Sequence, residues 1–361
     1  MVPLSTLIWK SLAPSSPSAA TIPSPLSQGC GKASTVSFVH STDTADLPVA
    51  LRGGVVAIGN FDGVHRGHQA VLERALGQAR QKSVPAMVLC FEPHPRAVFQ
   101  PDTPLFIITP PSMKARLVQA LGFDALVQQP FTREFAGHSA EEFVTAILEQ
   151  RLGISHAVTG FDFHFGKNRQ GGPAFLMEAG ARHGFGVTLV DAFRDEGAEI
   201  VSSSRIRTLL EEGDVAQAAG LLGYRYTVEA EIVKGRQLGR ELGYPTANMA
   251  LPANTALRHG IYAVKLRRAD GSVHNGVASF GRRPTVEDDG APLLETFVFD
   301  FSGDLYGEVC QVSLFGFLRG EEKFDGLEPL IAQMKRDEQE ARALLAAVSP
   351  LTPLDREIAF A

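Results

Sequence analysis

The stretch GNFDGVHRGH, residues 59–68, decides the fold of the first half of the chain. It ends an apolar segment, residues 54–60, that is typical of a strand, and it leads into a helical pattern over residues 67–81. A glycine-rich turn between strand and helix favours an anion site, because the free N–H groups and the dipole of a helix N-terminus attract phosphate. His65 and His68 stand at the start of this helix, and Gly67 between them leaves room for a close phosphate or base.

These two histidines have two interpretations. Imidazoles at this point can donate hydrogen bonds to oxygens that gain negative charge while a phosphorus atom is attacked. Alternatively, His65 and His68 only cap the helix or lie on the surface. Their position favours the functional interpretation, since open α/β sheets bind ligands at the carboxyl ends of their strands.

C-terminal to this turn, sequence patterns typical of strands alternate with patterns typical of helices. Strands are predicted over residues 84–91, 124–127, 156–159 and 187–190, and helices over residues 111–121, 139–151 and 173–183. Such alternation is typical of parallel strands with helices on both faces. Residues 202–222 then read as two short helices that break at Gly213-Asp214.

The second half of the chain has a different pattern of predicted secondary structure. Strands are predicted over residues 226–233, 261–266, 273–280, 295–301 and 310–315, joined by turns rich in Gly, Pro and Asn, with no alternation of strands and helices. One helix closes this half, because apolar residues between 327 and 345 fall on one face.

Length and composition set the domain organisation. At about 150 residues per domain, the 361 residues predict two domains and a tail. The first 36 residues hold eight Ser and five Pro and no acidic residue, so they cannot bury enough surface to offset their ordering entropy. We therefore expect a disordered or weakly ordered extension over residues 1–48, domains over residues 49–222 and 223–348, and a tail over residues 349–361.

Charge and cysteine content exclude several classes of protein. The formal net charge of −6, from 34 basic and 40 acidic residues, opposes general nucleic-acid binding. No apolar run approaches the ~18 residues that a membrane helix needs. Cys30, Cys90 and Cys310 are too far apart for metal-type spacing, which favours a reducing, cytoplasmic setting.

A second motif, KGRQLGRELGYPTAN, spans residues 234–248. Gly235, Gly239 and Gly243 recur every four residues and form a loop whose backbone can wrap phosphates, although it is not a Walker loop. Glycine spacing alone equally fits a solvated surface loop. Further along, Glu295 interrupts an apolar strand; it is either a base that accepts a proton or an outward-facing side chain.

The first-half motif resembles the nucleotide-binding motif of the HxGH nucleotidyltransferase superfamily and, more narrowly, that of the bifunctional riboflavin kinase/FMN adenylyltransferase (FAD synthetase) family. Three more segments are similar to that family: FEPHPR at residues 91–96, GFDFHFG at 160–166 with Arg169 and Gly171, and VSSSRIR at 201–207. Ser204 stands where the family usually has Thr, which preserves the hydroxyl.

The second half is similar to the riboflavin kinase part of the same family. PTAN at residues 245–248, GVASFGRRPTV at 276–286, LETF at 294–297 and GDLYG at 303–307 carry this resemblance. Ser279 stands where the family commonly has Asn.

The resemblance implies an N-terminal Rossmann-like α/β domain with a parallel sheet, followed by an antiparallel β-barrel and a terminal helix. It implies that the barrel phosphorylates riboflavin with ATP to FMN, and that the α/β domain joins FMN to AMP from a second ATP, releasing diphosphate. The implied catalytic residues are Glu295, His65 and His68, with Mg²⁺ held by the hard oxygen ligands of Thr246 and Asn248. The residues implied in nucleotide binding are Gly59, Asn60, Phe61, Asp62, Gly67, Asp162, Arg169, Ser203, Ser204, Arg207, Gly235, Arg240, Gly243 and Pro245.

The implied partners are ATP, riboflavin and FMN, with FAD-requiring apoproteins as possible recipients, no nucleic acid and no membrane, and a monomer by default. Two competing hypotheses stay open. One is an HxGH transferase with another acceptor, which leaves PTAN and Glu295 unexplained. The other is a non-catalytic flavin-binding protein, which the intact His65, His68, Thr246, Asn248 and Glu295 oppose.

Overall fold

The computed structural model describes residues 37–235, 243–282 and 292–361. An α/β domain comes first and a β-barrel second, as the sequence predicted. The prediction for Arg240 lies outside the described residues. No helix among these residues is long and apolar enough to cross a membrane.

The α/β domain is built on one six-stranded sheet in the order β1-β4-β3-β2-β5-β6, with every neighbouring pair parallel. Strands β2 and β3 are almost wholly buried, which explains why they read as continuous apolar runs. The strands are β1 (Val39–Ser41), β2 (Val55–Ile58), β3 (Ala86–Glu92), β4 (Ala125–Pro130), β5 (His156–Gly160) and β6 (Gly186–Val190).

Helices connect these strands and cover the sheet. They are α1 (Arg66–Lys82), α2 (Pro95–Phe99), α3 (Pro111–Ala120), α4 (Ala140–Glu142), α5 (Pro173–His183), α6 (Ser203–Glu212) and α7 (Val215–Leu222). The helix expected over residues 139–151 is one α-helical turn, closed by a capping box between Ser139 and Glu142, and a π-helical segment, Phe143–Arg151.

The structure contains an element at each end of the expected domains. Residues 37–48, expected in the N-terminal extension, include β1, which pairs in parallel with β4 and forms the edge of the sheet. Three residues are too short for a sequence pattern to reveal a strand. The tail expected over residues 349–361 contains a helix, Pro353–Ala359, with Leu354 and Ile358 buried.

The barrel is closed and antiparallel, in the order β10-β11-β8-β7-β12-β9, with β9 pairing back to β10. The strand β8 was missing from the prediction, because Pro245 and Asn248 are poor strand formers; pairing with β7 and β11 overrides that preference. The elements are β7 (Thr227–Val233), β8 (Thr246–Ala250), β9 (Gly260–Arg267), β10 (Val273–Arg282), β11 (Pro292–Val298), β12 (Val309–Arg319), α8 (Leu327–Ala347) and α9 (Pro353–Ala359).

The two domains share one apolar core. A single cluster of buried side chains runs from Val55 and Leu72 in the α/β domain to Val264 and Leu314 in the barrel. Polar contacts join the same interface: the Tyr224 hydroxyl donates to the carbonyl of Gly63, and the Asn254 amide donates to that of Leu105. The turn that follows β2 is therefore held from the barrel side as well as from its own domain.

The C-terminal helix α9 is hydrogen-bonded to the segment that connects the two domains. Asp355, fully buried, accepts from the backbone N–H of Arg225 at 2.8 Å and forms an ion pair with the Arg225 guanidinium. Thr352 caps α9 and donates its hydroxyl to the carbonyl of Gly223. These bonds connect the end of the chain to the residues that link α7 to β7.

Candidate active sites

The turn after β2 adopts a conformation that most residues avoid. Phe61 and Val64 have φ values of 49° and 37°, and Gly63 lies at 90°. Side chains at positive φ are uncommon and persist where the surroundings hold them, often at functional sites. Here Phe61 and Val64 are buried in the core, so packing holds the turn in place.

The two histidines stack on each other at the start of α1. His65 is the N-cap, and its Nδ1 accepts from the backbone N–H of His68 at 3.2 Å. The rings lie 3.6 Å apart at 16°, and the edge of Phe61 meets His68 at 5.4 Å. Because Nδ1 of His65 accepts, its proton is on Nε2, which leaves an N–H donor for a ligand.

Burial keeps both imidazoles neutral. Desolvation lowers the pKa of His65 to about 4 and lowers that of His68 well below its usual value, with a smaller effect from the neighbouring His65. Within the part of the chain that the structure describes, His68 Nδ1 and Asn60 Oδ1 are buried without a hydrogen-bond partner. Buried polar atoms left in this way are typical of a site that a ligand completes.

The glycines of this motif make room for side chains of the protein. A Cβ at Gly67 would lie 3.1 Å from Cε1 of His65, and one at Gly59 would lie 3.0 Å from the Phe61 ring. We expected Gly67 to leave space for a phosphate or base; the structure shows that the His65 ring already occupies part of that space.

Asp62 and Arg207 form a buried ion pair behind the turn. Asp62 also accepts from the backbone N–H of Thr109 at 3.0 Å, and Arg207 donates to the carbonyl of Phe106 at 2.7 Å. Thr109 in turn accepts from the N–H of Gly63. In this arrangement Asp62 and Arg207 hold three segments together, whereas we expected both to contact the nucleotide directly.

The serines at the start of α6 have separate roles. Ser202 is the N-cap and accepts from the N–H of Arg205 at 3.3 Å. Ser203 instead donates to the carbonyl of Asp62 at 2.8 Å, which brings α6 to the histidine turn. Ser204 is exposed.

The segment after β5 lies partly in the core. Phe163 and Phe165 stack at 5.3 Å and pack in the apolar cluster on one face of the sheet, whereas Phe161 is 48% exposed. Asp162 is exposed on the turn that follows β5. Arg169 is also exposed, and its guanidinium lies 3.2 Å from Nδ1 of His164.

The barrel carries a cavity of about 570 Å³ beside the start of β8. Pro245, Thr246 and Asn248 line it on one side. Asn248 is buried, and its Oδ1 has no partner among the described residues, so it can accept a cation or a donor from a ligand. The remaining lining residues are Ile232, Ala247, Val298, Phe301, Ser302, Gly303, Asp304, Leu305 and Tyr306.

Strand register brings Glu295 beside Asn248. Glu295 is directly opposite Asn248 on β8 and Ser279 on β10, so the three side chains share one face of the barrel wall. Glu295 is half-buried, while its neighbours Leu294 and Thr296 point into the barrel. Gly235 packs against the same place, since a Cβ there would lie 2.5 Å from Nδ2 of Asn248. Gly243 has a φ of 84°, which only glycine adopts readily.

Oxygen ligands at this site fit a hard divalent cation. The orphaned Oδ1 of Asn248 and the hydroxyl of Thr246, two residues away on one strand, are the kinds of donor that such a cation prefers. Among the described residues, no group of three or more His, Cys, Asp or Glu side chains could hold a metal. Mg²⁺ bound with a nucleotide usually takes further ligands from the substrate phosphates and from water.

Sequence reasoning missed residues that build the first site. Thr109 and Tyr224 hold the histidine turn through Asp62 and Gly63. Lys114 on α3 is buried close to His68. A signal for Lys114 was present: it is a lysine on the apolar face of a helix, between Met113 and Leu117.

Comparisons with known proteins match both domains. Residues 48–205 match the family model described as FAD synthetase, and residues 222–345 match the one described as riboflavin kinase. The first match ends at residue 205, within α6, and the second begins at residue 222, the last residue of α7.

Similar proteins cover nearly the whole chain. A bifunctional riboflavin kinase/FMN adenylyltransferase of Listeria monocytogenes is 39% identical over 86% of this chain and 98% of its own length. One of Pseudomonas fluorescens is 40% identical over 82% of this chain and 94% of its own. A crystal structure described as a macrolide-efflux protein from Streptococcus pneumoniae has a TM-score of 0.74 and 30% identity, and covers 84% of this chain and 98% of that one.

Proposed function

Because the chain belongs to the bifunctional riboflavin kinase/FMN adenylyltransferase family, we propose that its barrel converts riboflavin to FMN and its α/β domain converts FMN to FAD, with the residues assigned below. The observation that carries this assignment is the presence in one chain of two complete but different constellations. These are a neutral histidine pair at a helix N-terminus and a carboxylate beside an orphaned amide oxygen in a cavity.

In the α/β domain, the FMN phosphate oxygen attacks the α-phosphorus of ATP. A new O–P bond forms, the bond to the bridging oxygen of the β-phosphate breaks, and diphosphate leaves with that electron pair. Nε2–H of His65 and the buried imidazole of His68 donate to the oxygens that gain charge. The attacking phosphate is already ionised, so no base is needed. The backbone N–H groups of Ser203 and Ser204 at the start of α6 bind phosphate, while the Ser203 hydroxyl, Asp62 and Arg207 position the turn.

In the barrel, a hydroxyl must lose its proton as it attacks the γ-phosphorus of ATP. Glu295 accepts that proton from the 5′-hydroxyl of riboflavin. Thr246 and Asn248 hold Mg²⁺, which neutralises phosphate charge when bound. Gly235, Gly243 and Pro245 shape the cavity for the nucleotide, and Arg240 is assigned to the same nucleotide. A cytoplasmic monomer that passes FAD to apoproteins stays a prediction.

Product chromatography tests the assignment. With riboflavin, ATP and Mg²⁺ we expect FMN and then FAD. Glu295→Gln should slow FMN formation by roughly 10²–10⁴-fold and leave adenylylation of supplied FMN unchanged. His68→Ala should slow adenylylation by roughly 10²–10³-fold and leave the kinase step unchanged, so that FMN accumulates.

Two substitutions away from the sites serve as matched controls, Glu340→Gln on α8 and His40→Ala on β1, both exposed. Loss of both steps in either site variant, with the protein folded, would contradict the assignment to separate sites. FMN as the sole product of the unmodified chain would contradict adenylylation and point to another acceptor. The absence of both products would support a binding protein.

A further inference from the structure

The two histidines bring no positive charge to the adenylylation site. FMN phosphate and the ATP triphosphate bring several negative charges together, and charge grows on the α-phosphate oxygens during attack. His65 and His68 are neutral near pH 7, because burial lowers the pKa of both. They donate hydrogen bonds but contribute no net charge.

Two arginines beside the turn already have acidic partners. Arg207 is paired with Asp62 and bonded to the carbonyl of Phe106. Arg66, at the first position of α1, is paired with Glu196 through both carboxylate oxygens. Each of these guanidinium groups is compensated before a substrate arrives, so a phosphate gains less from it than from an uncompensated cation.

Lys114 differs from these arginines. It is 3% exposed, yet its ammonium makes no hydrogen bond or ion pair to any residue within ranges 37–235, 243–282 and 292–361. It is close enough to His68 and to Glu92 for its charge to lower the pKa of each. It therefore stands at the carboxyl end of β3, beside the histidine pair.

The position of Lys114 is set by elements that also build the turn. It lies in the first turns of α3, which begins two residues after Thr109, and Thr109 is the partner of Asp62 and Gly63. Its stem is buried among apolar neighbours, while its ammonium is not among the buried polar atoms that lack a partner. An ammonium held in this way by a buried stem can donate to an anion without first breaking an ion pair.

We propose that the Lys114 ammonium binds a phosphate oxygen of the adenylylation substrates and stabilises the charge that develops at the α-phosphorus. It supplies the cation that the neutral histidines lack. The substitution that removes it therefore weakens the second step without harming the fold. This inference rests on adenylylation as the second activity, so its test first requires FAD formation by the unmodified chain.

The test uses Lys114→Met in the full chain, supplied with FMN, ATP and Mg²⁺. We expect adenylylation to fall by about 100-fold, the size of losing one well-placed electrostatic contact. FMN formation from riboflavin should be unchanged. The thermal midpoint should stay level, because a methionine of similar length fills the space of the buried lysine stem. Lys335→Met, an exposed lysine on α8, is the matched control.

Separate titrations of the two substrates identify the phosphate that Lys114 binds. A raised KM for FMN alone assigns it to the acceptor phosphate. A raised KM for ATP, with weaker inhibition by inorganic diphosphate, assigns it to the triphosphate. A fall in kcat with both KM values unchanged assigns it to the transition state. Lys114→Arg should restore part of the lost rate.

Two outcomes would overturn the proposal. One is a Lys114→Met protein with wild-type kcat and KM values for FMN and ATP. The other is a protein with a lowered thermal midpoint whose activity Lys114→Arg fails to restore, which would give Lys114 a structural role.

Discussion

The histidine turn of the α/β domain and the cavity of the barrel position their reactive groups by different means. In the turn, a local sequence of ten residues supplies both histidines, and buried bonds from Thr109, Arg207 and Tyr224 hold it. In the barrel, Asn248 and Glu295 are 47 positions apart in sequence and meet only through the register of β8 and β11.

The chemistry of each step explains this contrast. An ionised phosphate needs no base, so the first site uses neutral hydrogen-bond donors fixed at a helix N-terminus. A hydroxyl nucleophile must lose a proton, so the second site needs a carboxylate near the cation ligands. Cross-strand pairs hold such groups at about 4.5–5.5 Å between Cβ atoms.

The largest effect is expected from Asp62→Asn, which would break the support of the histidine turn. Breaking a buried ion pair leaves Arg207 uncompensated and costs about 3–5 kcal/mol of unfolding free energy. We expect adenylylation to fall and riboflavin phosphorylation to remain. Urea unfolding together with separate assays of each step would measure both.

Glu196→Gln is the matched control for that substitution, since it breaks the exposed pair between Glu196 and Arg66. It should change stability little, because exposed ion pairs are screened by solvent. Equal effects of the two substitutions would contradict a special role for the buried pair.

A smaller loss of unfolding free energy is expected when the pH is lowered. The unfolded chain binds a proton at His65 near pH 6.5, whereas the folded chain, with its pKa lowered by burial to about 4, does not. The stability from burying the neutral ring is therefore complete above pH 6.5 and is lost as the pH falls to about 4. The loss is roughly 3 kcal/mol for a shift of this size.

His65→Asn isolates that contribution, since Asn still caps the helix. Urea unfolding at pH 7, 6 and 5 measures the free energy of unfolding. That free energy should fall less with decreasing pH for His65→Asn than for the wild type. His40→Asn on the exposed side of β1 is the control and should decline like the wild type. If the free energy of unfolding of wild type and of His65→Asn changed equally with pH, folding would not lower the pKa of His65.

The smallest losses of rate are expected when one glycine in each site is replaced by alanine. Gly235→Ala places a Cβ 2.5 Å from Asn248 Nδ2, so the amide must move; we expect about a tenfold loss of the kinase step, equivalent to ~1.4 kcal/mol. Gly67→Ala places a Cβ 3.1 Å from the His65 ring, which can shift by a few tenths of an ångström. A loss of about twofold in adenylylation should follow.

Gly77→Ala on α1 controls for the change of residue type, since no atom lies within 4 Å of its Cβ position. It should stabilise the helix by about 1 kcal/mol without altering either rate. A kinase step that is unaffected by Gly235→Ala would show that the close approach to Asn248 does not matter.

Periodicity was sufficient for elements that are long and regular. The helix expected over residues 173–183 spans Pro173–His183, and the helix break at Gly213-Asp214 falls between α6 and α7. It failed for β1 and β8, because a strand of three residues has no readable period and a Pro-Thr-Ala-Asn segment opposes a strand by propensity. Pairing partners decide such strands, and they are distant in sequence.

The sequence by itself determined the order of the two domains and the position of the histidine turn at the start of a helix, because each depends on neighbouring residues and on local periodicity. Only the tertiary structure decided that Asp62 pairs with Arg207, that Glu295 is opposite Asn248, and that Lys114 is near enough to His68 for its charge to lower the pKa of that imidazole. Burial and the proximity of charges depend on segments far apart in the chain. The pKa values and partners that define both sites therefore arise only when those segments pack together.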